Sequence, residues 1–136
     1  MVVIPTTPSA VVTAEGVVGI TTKVSPGTAR VLLLTDRSSG ISCLLRRTRD
    51  QGVLQGLGKG GGELKYLPPQ ADIVPGDTVL TSGMAGIFPK GLRVGRVANV
   101  RRGGYLLRRV VVRPAVALER LEEVMILTKV PSEERQ

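Results

Sequence analysis

Runs of Val, Ile and Leu in this chain last only a few residues before Gly, Pro or a cluster of turn formers interrupts them. Seventeen Gly and nine Pro among 136 residues supply the interruptions. Inside a helix these residues cost about 1 and 3 kcal/mol relative to Ala, so a long helix has little room to form. Short β-branched runs bounded by such residues fit strands instead. The pattern predicts strands over Ala10–Ala14, Val17–Ser25, Ala29–Thr35, Ile41–Arg47, Gly52–Gln55, Glu63–Leu67, Thr78–Ser82, Val94–Arg101, Tyr105–Arg113 and Val124–Thr128. Pro26-Gly27, Asp36–Gly40 and Pro75-Gly76-Asp77 read as turns. Gly103-Gly104 reads as the centre of a two-residue hairpin, where positive φ favours Gly. Only Ala115–Glu123 has a helical composition, and it is short.

Alternation is clearest from Val94 to Arg101. Arg96 and Arg101 fall on different parities there, which predicts a bulge or a local twist. With strands far outnumbering helices, the class is all-β, a barrel or a sandwich with at most one short helix.

Composition removes several functions. Zero His excludes His-dependent triads, His-ligated zinc and a His pH switch. One Cys excludes an internal disulfide, an iron–sulfur cluster and a Cys-rich zinc site. A 42% apolar content supports a packed core without such staples. No window holds the roughly 18 apolar residues needed to span a bilayer. Met1-Val2-Val3-Ile4-Pro5 lacks the basic start of a signal peptide. The expectation is a cytosolic protein or a piece of a longer one, with residues 1–10 as a linker or an added extension.

The formal charge of +8 is unevenly spread. The 16 basic and 6 acidic groups of residues 1–113 give +10, and the 3 basic and 5 acidic groups of residues 114–136 give −2. A basic surface suits nucleic acid, an anionic membrane surface, an acidic protein face or simply solvation. The densest basic spot is Arg101-Arg102 with Arg108-Arg109, flanking the predicted hairpin. Phosphate contact is one reading of it. The chain has only three aromatic residues, few for a base-stacking surface, so a solvated tip or an acidic protein partner fits better.

The remaining motifs have bland readings. Gly56-Leu57-Gly58-Lys59-Gly60-Gly61 matches a dinucleotide-binding pattern, but Pro68-Pro69 follows too soon for the helix that pattern opens. A hairpin loop is expected. Asp36, Asp50, Asp72 and Asp77 sit in or beside predicted turns, where carboxylates satisfy backbone N–H groups. Ser42 and Ser82 lack a His base. Cys43 reads as a small buried hydrophobe. The loop Gly83–Leu92 holds the single Phe, which is either core filler or, with Ile87, an apolar anchor for a partner.

Four segments in order resemble the β-domain of the rod shape-determining protein MreC family. They are Gly16–Ile20 with Val31–Asp36, then Gly52–Gly56 leading to Glu63–Pro68, then Gly76–Val97, and then Val112–Pro114 with Leu118–Val124. They span about residues 11–128. The resemblance implies small antiparallel β-barrels, distantly similar to chymotrypsin-type barrels without the triad. Residues 11–128 are then mainly the second barrel with remnants of a first, and 129–136 a disordered tail.

It further implies a non-catalytic scaffold of the cell-elongation machinery, with no cofactor. The full-length protein would be membrane-anchored, its β-domain periplasmic or otherwise outside the cytoplasm. The implied partners are the elongation transpeptidase (penicillin-binding protein 2), MreD and other copies of MreC, giving a homo-oligomer. No family motif assigns interface residues. From this sequence, Met84, Ile87, Phe88 and Leu92 of the loop and Arg101, Arg102, Arg108 and Arg109 of the hairpin are expected to bind a partner. The alternative function is a basic β-barrel that binds nucleic acid.

Overall fold

A computed structural model of the chain describes residues 8–84 and 86–127. Residues 1–7 of the linker expected over 1–10, the strand end at Thr128 and the tail over 129–136 lie outside the described residues. Ten strands form in chain order: β1 (Ala10–Thr13), β2 (Gly16–Ser25), β3 (Thr28–Leu33), β4 (Gly40–Leu45), β5 (Gln51–Gly56), β6 (Gly62–Lys65), β7 (Thr78–Thr81), β8 (Arg93–Gly103), β9 (Leu106–Pro114) and β10 (Met125–Leu127). Strands β4 to β9 close into an antiparallel barrel in the order β4-β5-β6-β9-β8-β7. The other four make an open sheet, β10-β1-β2-β3, so the chain leaves the sheet, builds the barrel and returns beside β1.

Inside the barrel the pleat sorts residues by parity. Ile41, Cys43, Leu45, Leu54, Leu64, Val79, Val97, Val110 and Val112 point inward and are buried. The sheet differs, because both its faces are covered. Ala10 and Val17 join the barrel core. Val11 and Val18 pack instead with Val116, Leu118, Leu121 and Ile126. Two covered faces explain why β1 reads as an unbroken apolar run rather than an alternating one. The sheet meets the barrel closely at Gly16, where a Cβ would stand 2.3 Å from the Arg93 carbonyl oxygen. Only Gly permits that approach.

The parity conflict between Arg96 and Arg101 is resolved by a bulge. The β8–β9 register shifts between Val97 and Asn99, leaving Ala98 without an opposite residue. One extra residue restores the alternation, so Arg96 stands opposite Arg113 and Arg101 opposite Arg109, all exposed.

Two local expectations shift. The hairpin centre is Gly104-Tyr105, one residue later than expected, because Gly103 still pairs with Leu106. Gly104 takes φ +64 while Tyr105 is not left-handed, which suits the turn class with Gly at its first central position. The helix expected over Ala115–Glu123 is only a 3-10 turn at Leu118–Arg120. The Ala115 amide donates to the Val94 carbonyl, continuing strand pairing, and Val116 is buried under the sheet. Too few residues remain to repay helix nucleation.

Leu54 has no exposed surface and sits in the barrel core. Leu54→Ala is expected to cost roughly 2–5 kcal/mol in urea unfolding. Val124→Ala, at a position 42% exposed, is expected to stay within about 0.5 kcal/mol.

Candidate functional site

The structure separates the two groups of residues singled out from sequence. The loop after β7 lies at the start of β8, and the basic hairpin lies at its far end. Eleven residues of strand put about 33 Å between them. They do not form one site.

Of the two readings of Phe88, core filler holds and the exposed partner anchor does not. Its side chain is buried and packs with the barrel residues. Gly83, Gly86 and Gly91 all take positive φ and fold the loop back over the barrel end. The Thr81 hydroxyl clamps it, donating to the Pro89 carbonyl at 2.7 Å and accepting from the Leu92 amide at 2.9 Å. Ile87 and Leu92 are half-buried against the same core. Met84 alone of the four is strongly exposed.

Arg102 has a structural duty. Its register shift from Arg101 turns it over the barrel end, where one Nη donates to the carbonyls of Ala71 (2.8 Å) and Ile73 (3.3 Å). Arg108 lies against Gly103, across the hairpin. Arg101 and Arg109 project outward as an opposed pair.

Those contacts belong to a larger arrangement that holds residues 66–77, the long link between β6 and β7. Arg47 grips it as well. Its Nε and Nη2 donate to the two carboxylate oxygens of Asp77, both at 2.9 Å. Nη1 and Nη2 also reach the Asp72 carboxylate (3.2 Å) and carbonyl (2.7 Å). The Val74 amide donates to Asp77 Oδ2 at 3.0 Å. The Arg47 fork, helped by that amide, holds the Asp77 carboxyl below the usual carboxylate range, although burial opposes the shift. Leu107 N–H donates to the Pro69 carbonyl, tying the link to β9.

The tethered link and the hairpin each expose apolar side chains. Tyr66 and Tyr105, the only tyrosines, are 81% and 86% exposed. Val74 and Leu106 are exposed beside them. Tyr66 holds φ +65, a left-handed conformation uncommon outside Gly, Asn and Asp. One groove runs between Val74, Arg102 and Tyr105, and another between Tyr66, Leu107 and Arg108. Exposed tyrosines edged by arginines match the composition of protein-binding hot spots. Sequence reasoning overlooked both tyrosines. For Tyr105 the signal was available, since it directly follows Gly103-Gly104. Tyr66 lies inside the predicted strand Glu63–Leu67, and nothing local marks its exposure.

The other chemical candidates take structural positions. Asp36 accepts the Ser38 amide at 2.8 Å in a turn. Ser82 Oγ accepts from the Met84 amide. Cys43 is buried, and that burial pushes its thiol up to about 12, away from reactivity. The Gly56–Gly61 segment is a hairpin loop between β5 and β6, closed by Leu57 N–H to the Gly61 carbonyl. Among the described residues no group of three or more His, Cys, Asp or Glu is placed to hold a metal ion.

Because the folded Asp77 carboxyl titrates lower than an unfolded one, its stabilisation is fully present above about pH 4. It is lost as pH falls through the folded value. Asp77→Asn is expected to lower the thermal midpoint at neutral pH and to flatten its decline below about pH 4. Thermal melts of both proteins from pH 7 to pH 2.5 check this. Parallel acid limbs would contradict it.

Comparison with known proteins agrees with this architecture. The cell shape-determining protein MreC of Cereibacter sphaeroides is 38% identical over 112 residues, covering 82% of this chain and 36% of that protein. The curated relatives it matches are spanned over only 25% to 39% of their length. The crystal structure of MreC from Pseudomonas aeruginosa superposes with a TM-score of 0.81 at 33% identity, covering 87% of this chain and 77% of the other. A structure described as a complex between penicillin-binding protein 2 and MreC from Helicobacter pylori shares the fold, with a TM-score of 0.69 at 23% identity, covering 87% and 74% of the two chains. The family model for the rod shape-determining protein MreC, barrel core, matches residues 6–128, and the chain belongs to that family.

Proposed function

We propose that this chain is the β-domain of a non-catalytic scaffold that holds the elongation transpeptidase, penicillin-binding protein 2, outside the cytoplasm and so maintains rod shape. The observation that carries the reading is the exposure of Tyr66, Val74, Tyr105 and Leu106 on the link and the hairpin, with the link held by Arg47 and Arg102. Preorganised aromatic surface binds without a large ordering cost. The Helicobacter pylori complex supports a transpeptidase of the same class as the partner.

The open sheet is read as the part of a first barrel that this chain contains, and the closed barrel as the second. Among the described residues, strands β3 and β10 are its edges, each with an outer side suited to strand addition by another copy of the chain. Self-association belongs there in this reading. MreD is a further partner, and membrane attachment is assigned to the rest of a longer protein. No helix among the described residues is long and apolar enough to cross a membrane.

Titration of this chain with the periplasmic region of the transpeptidase tests the reading. Saturable binding that survives high salt is expected, because an apolar contact is weakly screened. Tyr66→Ala with Tyr105→Ala is expected to weaken it by at least about 2 kcal/mol, roughly 30-fold. Unchanged affinity in that variant would move the contact off the two tyrosines. No binding by the unaltered chain would overturn the transpeptidase assignment for this domain.

A further inference from the structure

The bulge at Ala98 has a consequence for charge. With Arg96 opposite Arg113 and Arg101 opposite Arg109, the outer face of the β8–β9 ribbon carries two arginine pairs. Strand β9 runs without interruption from Arg113 to Arg109, so the pairs lie about 13 Å apart on one face. Between them stand Asn99 and Val111. Among the described residues, none of the four arginines takes part in an ion pair. The nearest carboxylate on that face, Glu63, stands opposite Val111 on β6 and also makes no ion pair there. At the β8 start, Arg93 joins Arg96 and Arg113 around a cavity of about 500 Å³, otherwise lined by small or backbone groups such as Gly76, Ala98 and Pro114.

Like charges directly opposite on a sheet are destabilising, and the barrel needs only some polar residue at each position. We propose that this arginine ladder is a docking surface for an extended acidic segment of a partner protein. The geometry fits that occupant. A chain in extended conformation advances about 13 Å in four residues, so carboxylates at i and i+4 meet successive pairs. Each guanidinium offers a planar fork suited to a carboxylate. A single phosphate reaches one pair only. Nucleic acid finds no aromatic platform between the pairs, where Asn99 and Val111 stand. The ladder borders the Tyr66 groove at its Arg109 end, and it does not depend on the identity of the transpeptidase.

The test is fluorescence anisotropy with a labelled octaglutamate peptide, with octaglutamine, inorganic phosphate and a twelve-nucleotide DNA as comparisons. Octaglutamate is expected to bind and to weaken with salt. The variant Arg96→Gln, Arg101→Gln, Arg109→Gln, Arg113→Gln is expected to lose at least tenfold in affinity, with its thermal midpoint unchanged or raised. A charge-matched variant, Arg30→Gln, Arg37→Gln, Arg46→Gln, Arg49→Gln, alters exposed arginines elsewhere and is expected to stay within twofold. Equal losses in the two variants would reduce the effect to net charge and overturn the proposal. So would full binding by the ladder variant, or a collapse of its thermal midpoint. Tighter ladder-dependent binding of the DNA would replace the acidic segment with nucleic acid.

Discussion

The antiparallel ribbon of β8 and β9 is the member on which the rest of the structure depends. Its strands pair at eight positions, while β7 flanks β8 and β6 flanks β9. The ribbon therefore closes the barrel. Closure fixes its register, because a slip of one residue would turn Val97, Val110 and Val112 to solvent and bring arginine inward. Uncompensated charge in such a core costs far more than any single apolar contact returns. The same ribbon supports the sheet, since the Arg93 carbonyl is the surface against which Gly16 is pressed. Core residues from sheet and barrel then merge into one cluster.

Residues 66–77 show how an irregular segment is made rigid without strand pairing. Backbone carbonyls with no strand partner need other donors. Arg102 supplies them to Ala71 and Ile73, and Arg47 to Asp72. The Asp77 carboxylate takes both sides of the Arg47 fork, a geometry that fixes direction as well as distance. Two arginines, one just past β4 and one on β8, the two strands that flank β7, thus hold one loop. Its exposed residues, Tyr66 at one end and Val74 near the other, inherit that rigidity.

Much of this was legible in the sequence, for a physical reason. Gly and Pro end strands wherever they occur, so all ten strands were readable, with boundaries within a few residues. The parity conflict between Arg96 and Arg101 even announced the bulge. What resisted reading depended on contacts between distant residues. Arg47 and Asp77 are thirty positions apart, and nothing local marks them as partners. Arg102 looked like its neighbour Arg101 until a second register shift turned it the other way. Phe88 was readable as core filler or as an exposed anchor, and only the loop folding back, with the ring filling the barrel end, decides between them. The Ala115–Glu123 segment had helical composition but was already committed at Ala115 to pairing with β8.

Burial separates the residues that specify this fold from those free to serve function. The inward positions of the ribbon are valines, interchangeable in chemistry and constrained in shape. The outward positions carry no packing duty, so their identity reports some other requirement. Solubility alone is met by charges of mixed sign, which also gain about 0.2–1 kcal/mol per opposed pair. Arginine opposite arginine, twice on one face, gives up that gain and adds repulsion. Places where a sequence breaks a local rule without a structural return are where function is to be sought. Here the break lies on the most extensively paired ribbon of the structure, which is where a recognition surface needs to be if it is to be held in shape before its partner arrives.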